Sequence, residues 1–409
     1  MKIVFLSLLY EKSMEEHLLT ESKIGLPGAV NTFQWNLIDG LDLYLQKKGY
    51  EMKLINNIPV GPFPFCNKRL LIKFRKWKHF KSNLNNDIDI GAVNLPIIKQ
   101  FIREKNTYHF LKKEIINKQP IVIFTYDLYL PYLKALNKLN KNFDNLTICP
   151  VVTDLPNQYG FKKKEGLIKS YFRKRMGIKQ LRLIKGFDKY ILISKYMKDV
   201  LDVEKKDTLV IEGIASKFNA SRWELIKYKT ILYTGTLDEV FGIKALIDSF
   251  QYIKDNDFRL VICGKGNLES YIYDKSLIDK RICYKGYCTK QEISHLMDTA
   301  LVMINPRNNE DEYTKYSFPS KTMEYLLSGK PMIGYKLDGI PDEYDSHIYY
   351  ISGSSSKCIA KKIMEICNKD VNELKHFGDN ARNFILKEKG YIKQGEKIGK
   401  FIFENNKYL

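Results

Sequence analysis

The chain has 409 residues and carries 67 Lys and Arg against 47 Asp and Glu, a net charge of +20, with 44% hydrophobic and 13% aromatic residues. At roughly 150 residues per domain this is material for two or three domains with sizeable cores, which excludes global disorder. The 24 Gly and 13 Pro exclude collagen-like or low-complexity architecture, and no apolar run approaches the ~18 residues of a membrane-spanning helix, which excludes a transmembrane protein.

The first apolar run, Ile3 to Tyr10, is followed by Glu11-Lys12 and by no small-residue cleavage site, so it predicts a buried strand rather than a secretory signal. From there the pattern alternates strand and helix in two rounds. The first predicts strands at about Lys2–Leu8, Met52–Ile55, Ile121–Thr125, Leu146–Val152 and Lys189–Ile193, with helices at about Asn31–Lys48, Leu130–Leu139 and Lys195–Leu201. A strand-like Thr208–Ile211 then runs into Gly213 and a polar stretch reaching Tyr228. The second round predicts strands at about Lys229–Thr234, Arg259–Cys263, Arg281–Tyr284, Leu301–Ile304, Pro331–Tyr335 and Ile348–Ile351. Its helices fall at about Ile243–Ile253, Lys290–Asp298, Thr322–Leu327 and Ser356–Cys367.

Continuous apolar strands alternating with helices predict parallel sheets covered on both faces. Two rounds predict an α/β protein of two doubly wound, Rossmann-like domains facing a cleft. The expected boundaries are 1–212 for the first and 213–387 for the second, with a basic helix at about 388–409 crossing back to the first.

Seven cysteines, at 66, 149, 263, 283, 288, 358 and 367, lack paired spacing and predict reduced thiols in a cytosolic protein. No Cys-x-x-Cys and no Cys/His ligand cluster occurs, and the six histidines show no catalytic pairing. The basic excess is uneven. Residues 61–80 carry six bases and no acid, and residues 162–185 carry ten bases against Glu165, so these two segments hold +15 of the +20. Something anionic is expected to meet this half of the molecule.

The second round carries the chemistry. Its first strand ends at Tyr233-Thr234-Gly235-Thr236-Leu237 and its second at Cys263-Gly264-Lys265-Gly266. Such turns lie where open α/β sheets bind ligands, though each also serves as a plain tight turn. Asn305-Pro306-Arg307 ends a later strand, and the segment Lys315 to Pro331 follows. Pro319 and Ser320 can open a helix whose first amides attract phosphate, with Lys321 adding a full charge. Glu324 is about one turn further on the same face and can accept from two adjacent hydroxyls, as in a ribose. Arg307 can contact a diphosphate bidentately. This pattern fits a nucleoside diphosphate; the plain alternative is a helix with a surface Lys–Glu pair.

The segment Tyr316 to Pro331 resembles the nucleotide-sugar signature of retaining glycosyltransferases of family 4, which have the GT-B fold. Tyr233–Leu237 with Gly242, Cys263–Gly266, the loop Gly339-Ile340-Pro341-Asp342-Glu343-Tyr344 and Gly378–Arg382 are similar to further parts of that donor domain. In the first half, Thr153-Asp154-Leu155-Pro156, Ile193–Met197 and Glu212-Gly213-Ile214 resemble a bacterial, polysaccharide-building branch of the family. The resemblance implies a nucleotide-sugar donor, most simply a UDP-hexose, bound by the second domain through Gly235, Thr236, Gly264, Gly266, Arg307, Tyr316, Ser320, Lys321, Glu324, Gly339, Ile340 and Glu343. It implies retention of anomeric configuration, no cofactor and no metal. The catalytic candidates are Asp154, Arg307 and Lys321, with positive charge needed at the leaving phosphate.

The sequence also departs from the family pattern. The usual signature has two glutamates, and where the first is expected this chain has Tyr316. The usual Arg and Lys of the first donor-domain turn are Thr236 and Phe241, so Arg307 and Lys321 are expected to supply the phosphate charge. In the first domain Gly25-Leu26-Pro27-Gly28 matches a glycine loop that the family uses near donor phosphates and acceptor, and reads equally as an ordinary loop. Asp154 is placed to orient an acceptor hydroxyl or to cap the turn after it.

In 167–181, Leu167, Ile168, Tyr171, Phe172, Ile178 and Leu181 recur at near-helical spacing among bases, and Phe63, Phe65, Phe74 and Trp77 stand among the bases of 61–80. Both predict contact with an anionic membrane surface, a solvated basic face being the alternative. No nucleic-acid signature accompanies the charge. The expectation is a glycosyltransferase on the inner face of the cytoplasmic membrane, acting on a lipid-linked or growing glycan of exopolysaccharide, capsule or O-antigen. A nucleotide-sugar epimerase and a non-turning nucleotide binder that assists a partner transferase remain as alternatives.

Overall fold

The computed structural model describes residues 1–79, 82, 86–115, 119–156, 166–216, 220–224 and 227–403. Phe80 and residues 162–165 of the two basic segments, the Leu167 side chain, parts of the 212–228 stretch and residues 404–409 of the tail lie outside the described residues. The chain divides into two units, Met1–Ile214 with Tyr391–Leu409, and Ala215–Gly390.

The strands of unit 1 are β1 (Lys2–Ser7), β2 (Met52–Asn56), β3 (Leu71–Ile72), β4 (Arg75–Trp77), β5 (Asp87–Asp89), β6 (Ala92–Val93), β7 (Ile121–Tyr126), β8 (Leu146–Val152), β9 (Lys189–Leu192) and β10 (Asp207–Val210). Its helices are α1 (Glu15–Glu21), α2 (Gly28–Lys47), α3 (Pro96–Ile115), α4 (Leu130–Asn140), α5 (Leu167–Ile184) and α6 (Met197–Leu201). Eight strands form one sheet in the order β10-β9-β8-β7-β1-β2-β5-β4, parallel except for β4 against β5. Every residue of β7 and β8 is buried, as strands covered on both faces must be, so their sequences are mostly apolar, with Thr125 and Thr147 the exceptions.

Unit 2 contains β11 (Lys229–Thr234), β12 (Phe258–Cys263), β13 (Ile282–Tyr284), β14 (Val302–Asn305), β15 (Met332–Gly334) and β16 (Tyr349–Tyr350). Its helices are α7 (Ile243–Ser249), α8 (Glu269–Ile278), α9 (Lys290–Thr299), α10 (Ser320–Ser328), α11 (Ser356–Cys367) and α12 (Val371–Glu388). The six strands are all parallel, in the order β13-β12-β11-β14-β15-β16. Read from the first strand this is the 3-2-1-4-5-6 order of a doubly wound nucleotide-binding sheet. Apolar cores cover both its faces, one built on Ile231, Leu260 and Ile363, the other on Leu232, Met303 and Leu326. The last helix, α13 (Tyr391–Phe403), belongs to unit 1, where Ile398 and Ile402 pack into the core beside Leu37, Ile38 and Leu41 of α2.

Two features of unit 1 add to the sequence expectation. The 61–80 segment keeps Lys68, Lys73, Lys76 and Lys78 exposed, but its aromatic residues do not all lie at the surface. It folds into β3 and β4, and Trp77 is buried against Trp35, their rings 6.1 Å apart, while Phe65 and Phe74 are exposed. Two of its bases are paired, Arg69 with Glu21 (2.6 Å) and Arg75 with Asp89 (2.8 Å). Helix α3 had no apolar periodicity to announce it. Its buried stripe is Lys99, Arg103, Thr107, Leu111 and Ile115, spaced four apart, with the first three polar. Lys99 Nζ donates to the Val60 carbonyl (2.8 Å) and Arg103 Nη2 to the Ile58 carbonyl (2.7 Å), so two bases do the work usually given to leucines.

Candidate functional site

Connection direction in the unit 2 sheet reverses between β11 and β14, and a doubly wound sheet opens its crevice outside the carboxyl ends of that pair. The turn after β11 is Gly235–Leu237 and the turn after β14 is Pro306-Arg307. The two lie against each other. Gly242, at φ +75, sits where any β-carbon would collide with the Pro306 carbonyl, so only glycine fits there.

Arg307 is the main charged group of this edge. It is 8% exposed, its Nη2 donates to Ser317 Oγ (2.7 Å), and its guanidinium lies 4.4 Å from the Tyr313 ring and 5.9 Å from the Phe241 ring. Among the described residues no carboxylate lies within ion-pair distance of it, the charge of Asp311 acting on it from further away, and its buried Nε has no hydrogen-bond partner. Burial accordingly pushes its pKa down. A cation removed from water without an anion is costly unless a ligand supplies the missing charge.

Helix α10 starts at Ser320 with Pro319 as its N-cap residue, and no side chain caps it. Ser320 and Glu324 are exposed, and Lys321 Nζ lies 2.6 Å from Glu324 Oε2, so the two residues share the face that their spacing predicted. The next residue, Tyr325, is fully buried and fixes α10 to the site: its Oη accepts from the Thr234 amide (2.9 Å) and donates to the Thr234 carbonyl (3.0 Å), at the last residue of β11. Tyr316, in the place of the missing glutamate, has its Oη 3.2 Å from Glu312 Oε1, which brings a carboxylate beside that position.

The remaining sequence candidates of unit 2 fall in three groups. The amides of Gly235, Gly264 and Gly266 donate inside the protein, to the Cys263 carbonyl (3.0 Å), the Gly286 carbonyl (2.8 Å) and Glu269 Oε1 (2.9 Å). These glycines shape two interlocked turns rather than offer amides to a ligand; a β-carbon on Gly264 would strike the Gly235 carbonyl. Thr236 is exposed at the tip of its turn, and its carbonyl accepts from Tyr233 Oη (2.9 Å). In the third group Gly339 is wedged against the Ser317 carbonyl, the Ile340 side chain is in the core, and Glu343 pairs with the buried Lys389. For Ile340 only the backbone is left to meet a ligand.

In unit 1, Gly25 (φ +80) and Gly28 precede and open the 20-residue helix α2, and both face open space. Asp154 lies just after β8, open to solvent on one side. The protein around its base partly desolvates the carboxyl and raises its pKa to about 6. Sequence reasoning missed its neighbour Asp127, which follows β7 with φ +55, a rare conformation for a residue other than glycine. Burial first, then the charge of Asp154, raises Asp127 to about 7. The sequence signal for it is an aspartate directly behind a mostly apolar strand.

One group among the described residues has the donor set for a cation: Glu224, His295 and Asp298 bring ligand atoms within 4.8 Å of one another. The two carboxylates also flank the buried Lys330, whose pKa burial lowers to about 8, and so already serve as its counter-charge.

Residues 218–384 match the family model of the glycosyl transferases group 1, so unit 2 is a glycosyltransferase family domain. An uncharacterized glycosyltransferase, MJ1178, of Methanocaldococcus jannaschii is 25% identical over 211 residues, 49% of this chain and 55% of that protein. The putative teichuronic acid biosynthesis glycosyltransferase TuaH of Bacillus subtilis is 24% identical over 206 residues, 46% of this chain and 51% of that protein. The match thus spans about half the length of these curated relatives. Among solved structures, sucrose-phosphate synthase of Thermosynechococcus elongatus superposes with a TM-score of 0.63 at 15% identity over 98% of both chains. Anabaena HepE in complex with UDP gives 0.57 at 15% identity over 98% of this chain and 99% of that one. The fold is that of the GT-B glycosyltransferases.

Proposed function

We propose that the protein is a retaining glycosyltransferase of the family 4 type, which takes a hexose from a UDP-sugar held by unit 2 and passes it to a lipid-linked or growing glycan. The observation that carries this reading is Arg307: a buried guanidinium without a carboxylate partner, at the sheet position where a nucleotide diphosphate binds. Arg307, Lys321 and the first amides of α10 would meet the diphosphate, and Glu324 the ribose diol. As the sugar–phosphate bond breaks, negative charge grows on the β-phosphate, and fixed cations there stabilise the transition state more than the ground state. These groups supply the charge without a metal ion, so chelation is expected to leave turnover unchanged.

UDP is favoured by the UDP-bound HepE, and a cell-surface polymer by the teichuronic acid assignment of TuaH. A lipid-borne acceptor agrees with helix α5, which exposes Ile168, Tyr171, Phe172, Met176 and Ile178 beside Arg173, Lys174, Arg175 and Lys179. Apolar side chains interleaved with bases suit the headgroup boundary of an anionic bilayer on the inner face of the membrane. No helix among the described residues is long and apolar enough to cross one.

The test is a melting screen with UDP, GDP, CMP and ADP, then their sugar conjugates, on the wild type and on Glu324→Ala. A ligand that binds only the folded state must raise the melting temperature. Stabilisation by one nucleotide, weakened in Glu324→Ala, supports the donor site; no stabilisation by any nucleotide overturns the reading.

A further inference from the structure

Two aromatic rings from different turns flank the guanidinium of Arg307. Phe241 ends the 3₁₀ turn Glu239–Phe241 after β11, and Tyr313 lies in the 3₁₀ turn Glu312–Tyr316 that precedes α10. Their rings are 5.9 and 4.4 Å from the guanidinium. A guanidinium held over an aromatic face keeps its N–H groups free to point in its own plane. The turn that carries Tyr313 is itself fixed. The Thr314 hydroxyl lies 2.7 Å from both Asn309 Oδ1 and the Asp311 carbonyl oxygen, and Asn309 Nδ2 donates to Asp338 Oδ1 (3.0 Å). Ser317 Oγ, which accepts from Arg307 Nη2, donates in turn to the Tyr313 carbonyl (3.2 Å).

We propose that Tyr313 is a donor-binding residue of the transfer reaction, its ring holding Arg307 in place and its hydroxyl donating to the same phosphate that Arg307 meets. The inference rests on the reading of unit 2 as a nucleotide-sugar site, and it adds a residue that lies outside the Lys315–Pro331 segment.

Three observations carry it. First, the Tyr313 hydroxyl is buried without a hydrogen-bond partner among the described residues, and so is Arg307 Nε. A buried donor left unpaired is costly, and a guanidinium has no acceptor atom to offer the hydroxyl. The two donors belong to side chains only 4.4 Å apart, ring to guanidinium, so a single group with several acceptor lone pairs can satisfy both. A phosphate is such a group, and its charge is the one Arg307 lacks. Second, burial raises the Tyr313 pKa against the pull of the Arg307 charge, so the hydroxyl keeps its proton and donates at neutral pH. Third, Tyr313 stands in the chain between Arg307 and the start of α10, which no side chain caps, and these are the two places assigned to the diphosphate. As negative charge grows on the leaving phosphate, a hydrogen bond from a fixed hydroxyl strengthens with it.

UDP binding to the full chain is measured by isothermal titration calorimetry for the wild type, Tyr313→Phe and Tyr313→Leu, with uridine binding read by saturation-transfer NMR as the phosphate-free control. Tyr313→Phe keeps the ring and removes only the hydroxyl. It should weaken UDP about tenfold, leave uridine unchanged and melt within about 2 °C of the wild type, because the hydroxyl makes no bond in the free protein. Tyr313→Leu also removes the ring that holds Arg307 and should weaken UDP about 100-fold. UDP affinity within about twofold of the wild type in either variant overturns the proposal. So does an equal loss for UDP and uridine, or a Tyr313→Phe chain that melts more than about 5 °C lower, since each assigns Tyr313 to the fold rather than to the phosphate. A wild type that does not bind UDP removes the donor reading and this inference with it. A wild type that binds UDP, with Tyr313→Phe binding equally well, removes this inference alone.

Discussion

Arg307 gives the sharpest test because function and stability pull it in opposite directions. In the unliganded protein its charge is buried with one hydroxyl and two aromatic rings beside it and the charge of Asp311 further off. Replacement by Met keeps the volume and removes the charge. The loss is a cation–π contact of about 1–2 kcal/mol and one charged hydrogen bond of about 1.5–3 kcal/mol. The gain is relief from desolvation, several kcal/mol for an ion held away from water. The net should lie near zero, so Arg307→Met should melt within about 3 °C of the wild type. Ligand binding should respond quite differently. At a UDP concentration of 100 Kd the wild type gains about 2.7 kcal/mol. For a unit the size of Ala215–Gly390, at about 2–4 °C per kcal/mol, that is a rise of roughly 5–10 °C. Loss of a bidentate charged contact weakens binding about 100-fold, at 1.4 kcal/mol per tenfold. The same UDP concentration then equals the new Kd and yields about 0.4 kcal/mol, or 1–2 °C. Differential scanning fluorimetry of both proteins with and without UDP reads all four numbers. A variant that melts more than 10 °C lower but keeps the full UDP rise would mean that Arg307 is a structural residue, and the phosphate assignment would fall.

Lys321→Ala should cost the unliganded protein less than about 0.5 kcal/mol, since its ion pair with Glu324 is half exposed, yet lower kcat/KM for the donor at least tenfold; equal kinetics would remove Lys321 from the site. Tyr325→Phe breaks two buried hydrogen bonds to Thr234 and should cost about 1–3 kcal/mol in urea melts, with no change expected in charge-dependent donor contacts. His79 is buried between Asp42 (3.0 Å) and Asp87 (2.7 Å). Burial alone would lower its pKa, but the hydrogen bonds and charges of the two aspartates outweigh that and raise it from 6.5 to about 9. The rise corresponds to about 3 kcal/mol. Because the folded value is the higher one, this stability is complete below about pH 6.5 and lost as pH rises through 9. His79→Ala should cost about 3–5 kcal/mol at pH 6 by removing the positive charge between two buried carboxylates, and much less at pH 10. An unchanged difference across that range would contradict the ion triad.

What could be read in advance follows from how each segment announces itself. The strands of the unit 2 sheet are apolar runs bounded by turns, and they fell close to the expected places; Lys229–Thr234 coincides with β11. The Lys321–Glu324 face was legible because helical geometry brings residues three apart together. Short strands such as β3 and β6, of two residues each, carry no period to detect. Helix α3 stayed hidden for a different reason. Ile97, Ile98 and Phe101, the residues a pattern search would send inward, face solvent, while Lys99 and Arg103 are inside on carbonyl partners. Trp77 was placed at a surface by its basic neighbours, but the side chains of β4 alternate and the partly exposed Arg75 and exposed Lys76 precede an inward tryptophan. Asp127 could not be found at all from residue type, since its interest comes from a position next to Asp154 that is set by the pairing of β7 with β8.

The two sheets obey one rule of position and differ in charge. In each, the strand that begins the unit has neighbours on both sides reached by opposite crossovers, and the loop after the fourth-placed strand carries the ionisable group that faces the crevice. After β14 that group is a guanidinium, Arg307; after β7 it is a carboxylate, Asp127. Topology alone therefore tells where each unit would hold a ligand but not what it would hold. The residue type supplies the rest: a buried cation such as Arg307 selects a ligand bearing negative charge. The net charge of +20 contributes little to either choice. Of the bases of α5, Arg173 reaches the unit 1 crevice, while the exposed Lys174, Arg175 and Lys179 act on approach to an anionic surface.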